Sequence, residues 1–151
     1  MVLSLGIAVH MGTHGPEVKA ALVEGTIAAP ILRHVFELTT AAEELPEQLY
    51  DLASNLRSRI AGLKPDSVLV RRADLPPRAS NREGPRERLL VEGALVMAAR
   101  EDVRRTYLLN GRDAAARAGL TKPKLDALAK HLDGTATLAV VAAIGAGIAA
   151  L

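Results

Sequence analysis

Six arginines fall within one short stretch of this 151-residue chain: Arg71, Arg72, Arg78, Arg82, Arg86 and Arg88, set against Asp74, Glu83 and Glu87. An arginine presents a planar fork of donors that matches phosphate oxygens. A cluster can therefore neutralise a nucleic-acid backbone and release its counterions without reading a base. Residues 73–85 contain three prolines and a glycine, so much of the cluster belongs to a long loop. The same charges can also pair with one another on a solvated loop, or meet an acidic protein surface, and the sequence leaves these readings open.

Other chemistries find less support. There are no cysteines, which removes the thiol nucleophile, the disulfide and the thiolate zinc site, and is compatible with a reducing compartment. His10 and His14 stand four apart in the glycine-rich stretch HMGTHGP, and His34 and His131 lie elsewhere. That spacing carries little meaning outside a helix, so ordinary turn histidines are expected, with no metal and no cofactor. No serine sits in a nucleophile-elbow context, and no phosphate-cradling glycine pattern occurs. Phe36, Tyr50 and Tyr107 are the only aromatics, too few for a platform that stacks single strands, so duplex or junction backbone suits the arginines better.

Composition bounds the rest. With 49% hydrophobic residues the chain can bury a core as one domain, residues 1–151. The net charge is only +2, which argues against strong nonspecific nucleic-acid binding, although 14 of the 19 basic residues are arginine. Genomic nucleotide bias is the competing account of that enrichment. The apolar N-terminal run has no basic region before it, so no secretory signal is expected and the cytoplasm is the expected compartment. Residues 134–151, GTATLAVVAAIGAGIAAL, are uncharged and just long enough to raise the question of a membrane span. Their alanine and glycine content favours a buried helix, and membrane contact is not expected.

The elements that must position these groups follow from the hydrophobic period. Residues 2–9 read as a strand that ends in the turn formers of 10–16. Residues 17–24 and 31–38 read as two more strands, and connections this short make an antiparallel meander. From Leu45 the apolar positions step by three and four through Leu49, Leu52, Leu56, Ile60 and Leu63, which defines an amphipathic helix. Thr40 and Glu43 have capping-box spacing, and Pro46 must lie in a first turn, so the helix starts between 41 and 46. Residues 67–71, SVLVR, read as a short strand buried on both faces. A helix over 86–101 with a wide apolar face, a strand over 103–109, a turn at Asn110-Gly111, short helices over 112–118 and 122–132, and a helix in the run from 135 complete the chain.

Three strands, helix, strand, helix, strand and terminal helices is the connection order of the ribonuclease H-like fold. Within it the chain resembles the Holliday-junction resolvases of the RuvC type. LSLGIAV at 3–9 stands where that family has its Leu-Gly-Ile-Asp strand, followed by the amphipathic helix into PDSVLV at 65–70 and the helix beginning at Arg86. The resemblance implies a mixed five-stranded sheet, three antiparallel strands then two parallel, flanked by helices. It also implies two divalent metals on carboxylates from the first strand, the end of the fourth strand and the last helix. The match puts Ala8, Arg71, Gly134 and Thr137 at those places, and none is an acid. Asp66, Asp74, Asp126 and Asp133 are the acids nearest to a substitute set.

The expected function is therefore that of a pseudo-nuclease: a non-catalytic RuvC-like protein that binds DNA or RNA backbone or junctions through Arg71, Arg72, Arg78, Arg82, Arg86 and Arg88. The resemblance also suggests a homodimer. The alternatives are a degenerate nuclease scaffold used for protein interaction and assembly, and a divergent metal-dependent nuclease.

Overall fold

A computed structural model describes residues 1–74 and 83–151. Strands β1 (Val2–Gly12), β2 (Gly15–Thr26) and β3 (Ala29–Leu38) form the antiparallel meander, and β4 (Ser67–Arg71) and β5 (Arg105–Leu109) add parallel to β1, giving the order β3-β2-β1-β4-β5. Helices α1 (Leu45–Leu63) and α2 (Glu83–Asp102) cover one face. The other is covered by α3 (Gly111–Arg117), α4 (Lys122–Leu132) and α5 (Leu138–Ala150). This is the mixed five-stranded ribonuclease H-like sheet that the sequence order implies.

Alternation along the strands sorts the core into two layers. Leu5, Ile7, Val9, Val18, Ala20, Val68 and Val70 face α1 and α2, whereas Ala8, Ala21, Val23 and Leu69 face the terminal helices. The second face is built from smaller residues. On β1 it presents Ser4, Gly6 and Ala8, and α5 lies directly against it. A Cβ on Gly6 would overlap the Ala143 carbonyl oxygen and the Gly147 nitrogen, and one on Gly147 would come within 2.7 Å of Val23 Cγ2. The sheet and α3 also satisfy the last carbonyls of α5, which no further helical turn can reach. Ser4 Oγ donates to the Gly147 oxygen at 2.5 Å, Ser67 Oγ to Ala150 at 2.7 Å and Arg117 Nε to Ala149 at 3.0 Å.

Several boundaries depart from the sequence reading. Residues 10–12 and 15–16 belong to strands rather than to a loop, because His10 pairs with Glu17 and Met11 with Pro16, leaving Thr13-His14 as the turn beside Gly15 at φ +117°. Thr40 does not cap α1. Its hydroxyl donates to Asp51 at 2.8 Å, while Glu44 is the N-cap and makes no side-chain cap. Asn110-Gly111 is no free turn, since the Asn110 side chain accepts from Asp113 N and caps α3. The terminal run begins its helix only at Leu138, behind the cap Thr137, and α5 is largely buried. Among the described residues no helix is long and apolar enough to cross a membrane.

The contact at Gly6 yields a stability prediction. Gly6→Ala forces backbone against backbone and destabilises by at least the ~1–3 kcal/mol of ordinary overpacking. Gly62→Ala, on α1 with open space around it, stabilises by roughly 0.5–1 kcal/mol through helix propensity. Urea unfolding of both variants checks the opposite signs.

Candidate functional site

Parallel strands direct their C-terminal ends to one edge of the sheet, where backbone groups run out of ladder partners and side chains can converge. Here Ala8 of β1 stands in register with Arg71 of β4, and Arg71 with Leu109 of β5. Beyond these ends opens a cleft of about 410 Å³. Its floor includes Ala8 and Val9, and the first turns of α5 supply Leu138, Ala139, Val141 and Ala142. Arg71 enters from the end of β4 and Arg72 from the residue after it, Arg88 from α2, and Lys122 and Lys130 from α4; His10, Asp74 and Asp126 complete the lining. Five fixed cations thus face two carboxylates.

The counter-charges are largely committed to local pairs. Lys122 Nζ lies 3.2 Å from Asp126 Oδ2, one helical turn away. Asp74 Oδ1 accepts from Gly111 N at 3.4 Å, and the Arg71 guanidinium packs where a Cβ on Gly111 would lie. Behind the cleft, Glu92 Oε1 accepts from Arg88 Nε at 2.8 Å and from Ala73 N at 2.9 Å, tying α2 to the chain leaving β4. Glu92 is 1% exposed, and its Oε2 and the Arg72 Nε are buried without hydrogen-bond partners. Among the described residues Arg71, Arg72 and Lys130 form no ion pair. Positive charge is therefore left over at the mouth.

A second cleft of about 350 Å³ shares His10, Asp74 and Arg88 with the first and continues past Met11, Ala73, Gly84 and Pro85. The two make one groove along the N-terminal end of α2.

The structure thus brings Arg71, Arg72 and Arg88 together. Arg86 is exposed on the first turn of α2, outside the lining, and Arg78 and Arg82 lie outside the described residues. Of the four acids considered as substitutes, Asp74 and Asp126 reach the cleft. Asp66 accepts from Leu3 N at the opposite end of the sheet, and Asp133 is bound to Thr135. His10 lines the cleft, while His14 occupies the hairpin turn and His34 stacks on Phe36. Gly134 and Thr137 precede α5, and the α5 positions that face the cleft are Leu138, Ala139, Val141 and Ala142. Among the described residues no three His, Asp or Glu side chains are grouped so as to hold a metal ion. Sequence reasoning missed Lys122 and Lys130. Their signal was present in the spacing Lys122, Asp126, Lys130, which puts all three on one face of α4.

Burial pushes the Glu92 carboxyl above the ordinary 4.5 of a glutamate, and the hydrogen bond and charge of Arg88 oppose that shift only in part. The native state then holds this proton more tightly than the unfolded chain does. Stability contributed by the neutral form is present at low pH and falls as pH rises through the raised pKa. Glu92→Gln removes that dependence, so its stability relative to the parent grows with pH above about 4.5, as measured by urea unfolding at a series of pH values; a difference that stays constant or shrinks contradicts the assignment.

No protein-family model and no curated protein matches the sequence. Solved structures do match the fold. RuvC of Thermus thermophilus superposes with a TM-score of 0.72 at 16% identity, covering 98% of this chain and 92% of that one. The same enzyme in complex with Holliday junction substrate gives 0.70 at 14% identity, covering 99% and 92%. The yeast mitochondrial Holliday junction resolvase gives 0.57 at 16% identity, covering 97% and 77%. From the first strand to the last helix, the chain has the ribonuclease H-like fold as RuvC builds it.

Proposed function

We propose that this protein is a non-catalytic relative of the RuvC resolvases that binds nucleic-acid backbone or junctions, with the cation Arg71 standing at one of the places where the resemblance puts a metal-binding acid. The observation that carries the reading is the cleft at the ends of β1 and β4, lined by Arg71, Arg72, Arg88, Lys122 and Lys130 around Ala8. An arginine at the β4 position repels a divalent cation and attracts a phosphate. The solved complex of T. thermophilus RuvC with Holliday junction substrate supports a junction as the natural first ligand to try. Arg86, together with Arg78 and Arg82 of the preceding sequence, is included in the same proposal.

The test is a titration of labelled four-way junction, duplex DNA and duplex RNA, with and without Mg²⁺, scored for binding and for cleavage. Binding is expected to survive removal of Mg²⁺, with no cleavage, and to weaken about a hundredfold between roughly 50 and 200 mM salt if about four phosphates are neutralised. Arg71→Met with Lys130→Ala lowers affinity by at least tenfold and flattens the salt dependence, and Arg78→Ala, Arg82→Ala and Arg86→Ala together weaken binding further. Mg²⁺-dependent cleavage overturns the non-catalytic reading. Absence of binding to every substrate at low salt overturns the nucleic-acid reading.

The outer face of α2 supports self-pairing. Leu89, Leu90 and Met97 are 49%, 51% and 67% exposed around the exposed Gly93, a concentration of apolar surface unusual on an isolated domain. A two-fold antiparallel crossing at Gly93 sets each Leu90 near the Met97 of the other copy. Sedimentation equilibrium is expected to show a dimer that Leu90→Glu with Met97→Glu converts to a monomer of undiminished thermal stability. A monomeric parent protein excludes the pairing.

A further inference from the structure

The shape and charge of the cleft allow the ligand to be narrowed. We infer that it seats a phosphomonoester, the terminal phosphate of a nucleic-acid strand or of a free nucleotide, in preference to an internal phosphodiester. This rests on the reading above that the cleft takes nucleic-acid phosphate.

Charge is the first argument. An internal phosphodiester carries one negative charge, whereas a phosphomonoester carries about 1.5 to 2 near neutral pH. In the cleft, Lys122 is paired with Asp126 and Arg88 with Glu92, and among the described residues Arg71, Arg72 and Lys130 are left without an ion pair. Against these three cations stands one lining carboxylate outside an ion pair, Asp74, so two positive charges remain, more than a single monoanion neutralises. A dianion matches them better, and an arginine can offer two parallel donors to its terminal oxygens.

The uneven lining is the second. The charged cleft, about 410 Å³, is bounded by the strand ends, α4 and the first turns of α5, a size suited to a phosphate and its sugar. It continues past His10 and Arg88 into the neighbouring cleft, whose additional lining, Met11, Ala73, Gly84 and Pro85, carries no charge. This gives an asymmetric site: phosphate among the cations, nucleoside towards Met11 and Pro85.

Competition binding with the full-length chain in EDTA at low salt tests the inference. The probes are duplexes with either a phosphate or a hydroxyl at the 5′ or the 3′ end, together with AMP, adenosine and inorganic phosphate. A phosphorylated end is expected to bind at least tenfold more tightly than its hydroxyl counterpart. AMP competes and adenosine does not, and the preference shrinks from pH 7 to pH 5 as the second ionisation of the monoester, near pKa ~6, is lost. Lys130→Glu, an exposed substitution, abolishes the preference with an unchanged melting temperature, whereas Arg100→Glu, about 18 Å along α2 from Arg88, preserves it. Competition by AMP without discrimination between duplex ends identifies the free nucleotide as the source of the monoester. Salt-sensitive duplex binding that ignores end chemistry and AMP overturns this inference and leaves the backbone reading standing; no binding to any nucleic acid or phosphate overturns both.

Discussion

Helix α5 rests on β1 with no side chain between them at Gly6 and Gly147, where any larger residue on the strand would meet helix backbone. This close approach sets the height of the whole terminal layer. With α5 pressed onto Ser4, Gly6 and Ala8, its first turns arrive beside the C-terminal ends of β1 and β4, and α4 is carried to the same edge through Leu125 and Ala129 in the shared core. The hydroxyls of Ser4 and Ser67 then bond the last carbonyls of the helix from the sheet side, so the contact is both packed and satisfied. A bulkier residue at position 6 lifts α5 and opens the cleft at its base. The cation cluster depends on that geometry because α4, which carries Lys122 and Lys130, packs against α5, while Lys122 and Arg71 also meet at Gly111 of α3.

The electrostatics of the cleft depend on who supplies the compensating charge. Gathering cations at a partly enclosed edge costs free energy through mutual repulsion and lost hydration, and the cost grows as water is excluded. Asp126 and Asp74 offset part of it, and Glu92 binds Arg88 from behind while its own burial pushes its carboxyl towards the neutral form. The unpartnered Arg72 Nε marks where compensation runs out. On the function proposed above, such a site accepts an anion. A divalent metal would add charge of the sign already in excess, and of the nearby carboxylates Asp126 is paired with Lys122 while Asp74 accepts from Gly111 N. Fold likeness alone does not settle chemistry.

Much of the architecture was legible because it rests on local pattern. SVLVR reads as a doubly buried strand and is β4 to the residue, and the steps of three and four from Leu45 to Leu63 mark α1. Thr13-His14 was harder to place, since glycine and proline at Gly15 and Pro16 suggest a loop although both residues complete the ladder. Asn110-Gly111 has the composition of a turn, yet the Asn110 side chain finds Asp113 N and starts a helix. The site was less legible than the fold. Arg71, Arg72 and Arg88 are near in sequence and converge, but Asp66, only one residue before β4, lies at the wrong end of the sheet because strand direction decides the edge. Lys122 and Lys130 come from fifty or so residues away, and the packing of α4 against α5 and α3 brings them to Arg71. One-residue errors in where α5 begins likewise shift which of its residues face the cleft.

The most direct test of the account is to locate the nucleic-acid contact on the folded protein. An amide-resolved NMR titration with a short DNA duplex, at low salt in EDTA, reports the contact surface without requiring catalysis or metal. The account predicts shift changes concentrated at residues 8–10, 71–74 and 122–130 and at the first turns of α5. Changes confined to the outer face of α2 or to β3, with the cleft silent, would contradict it.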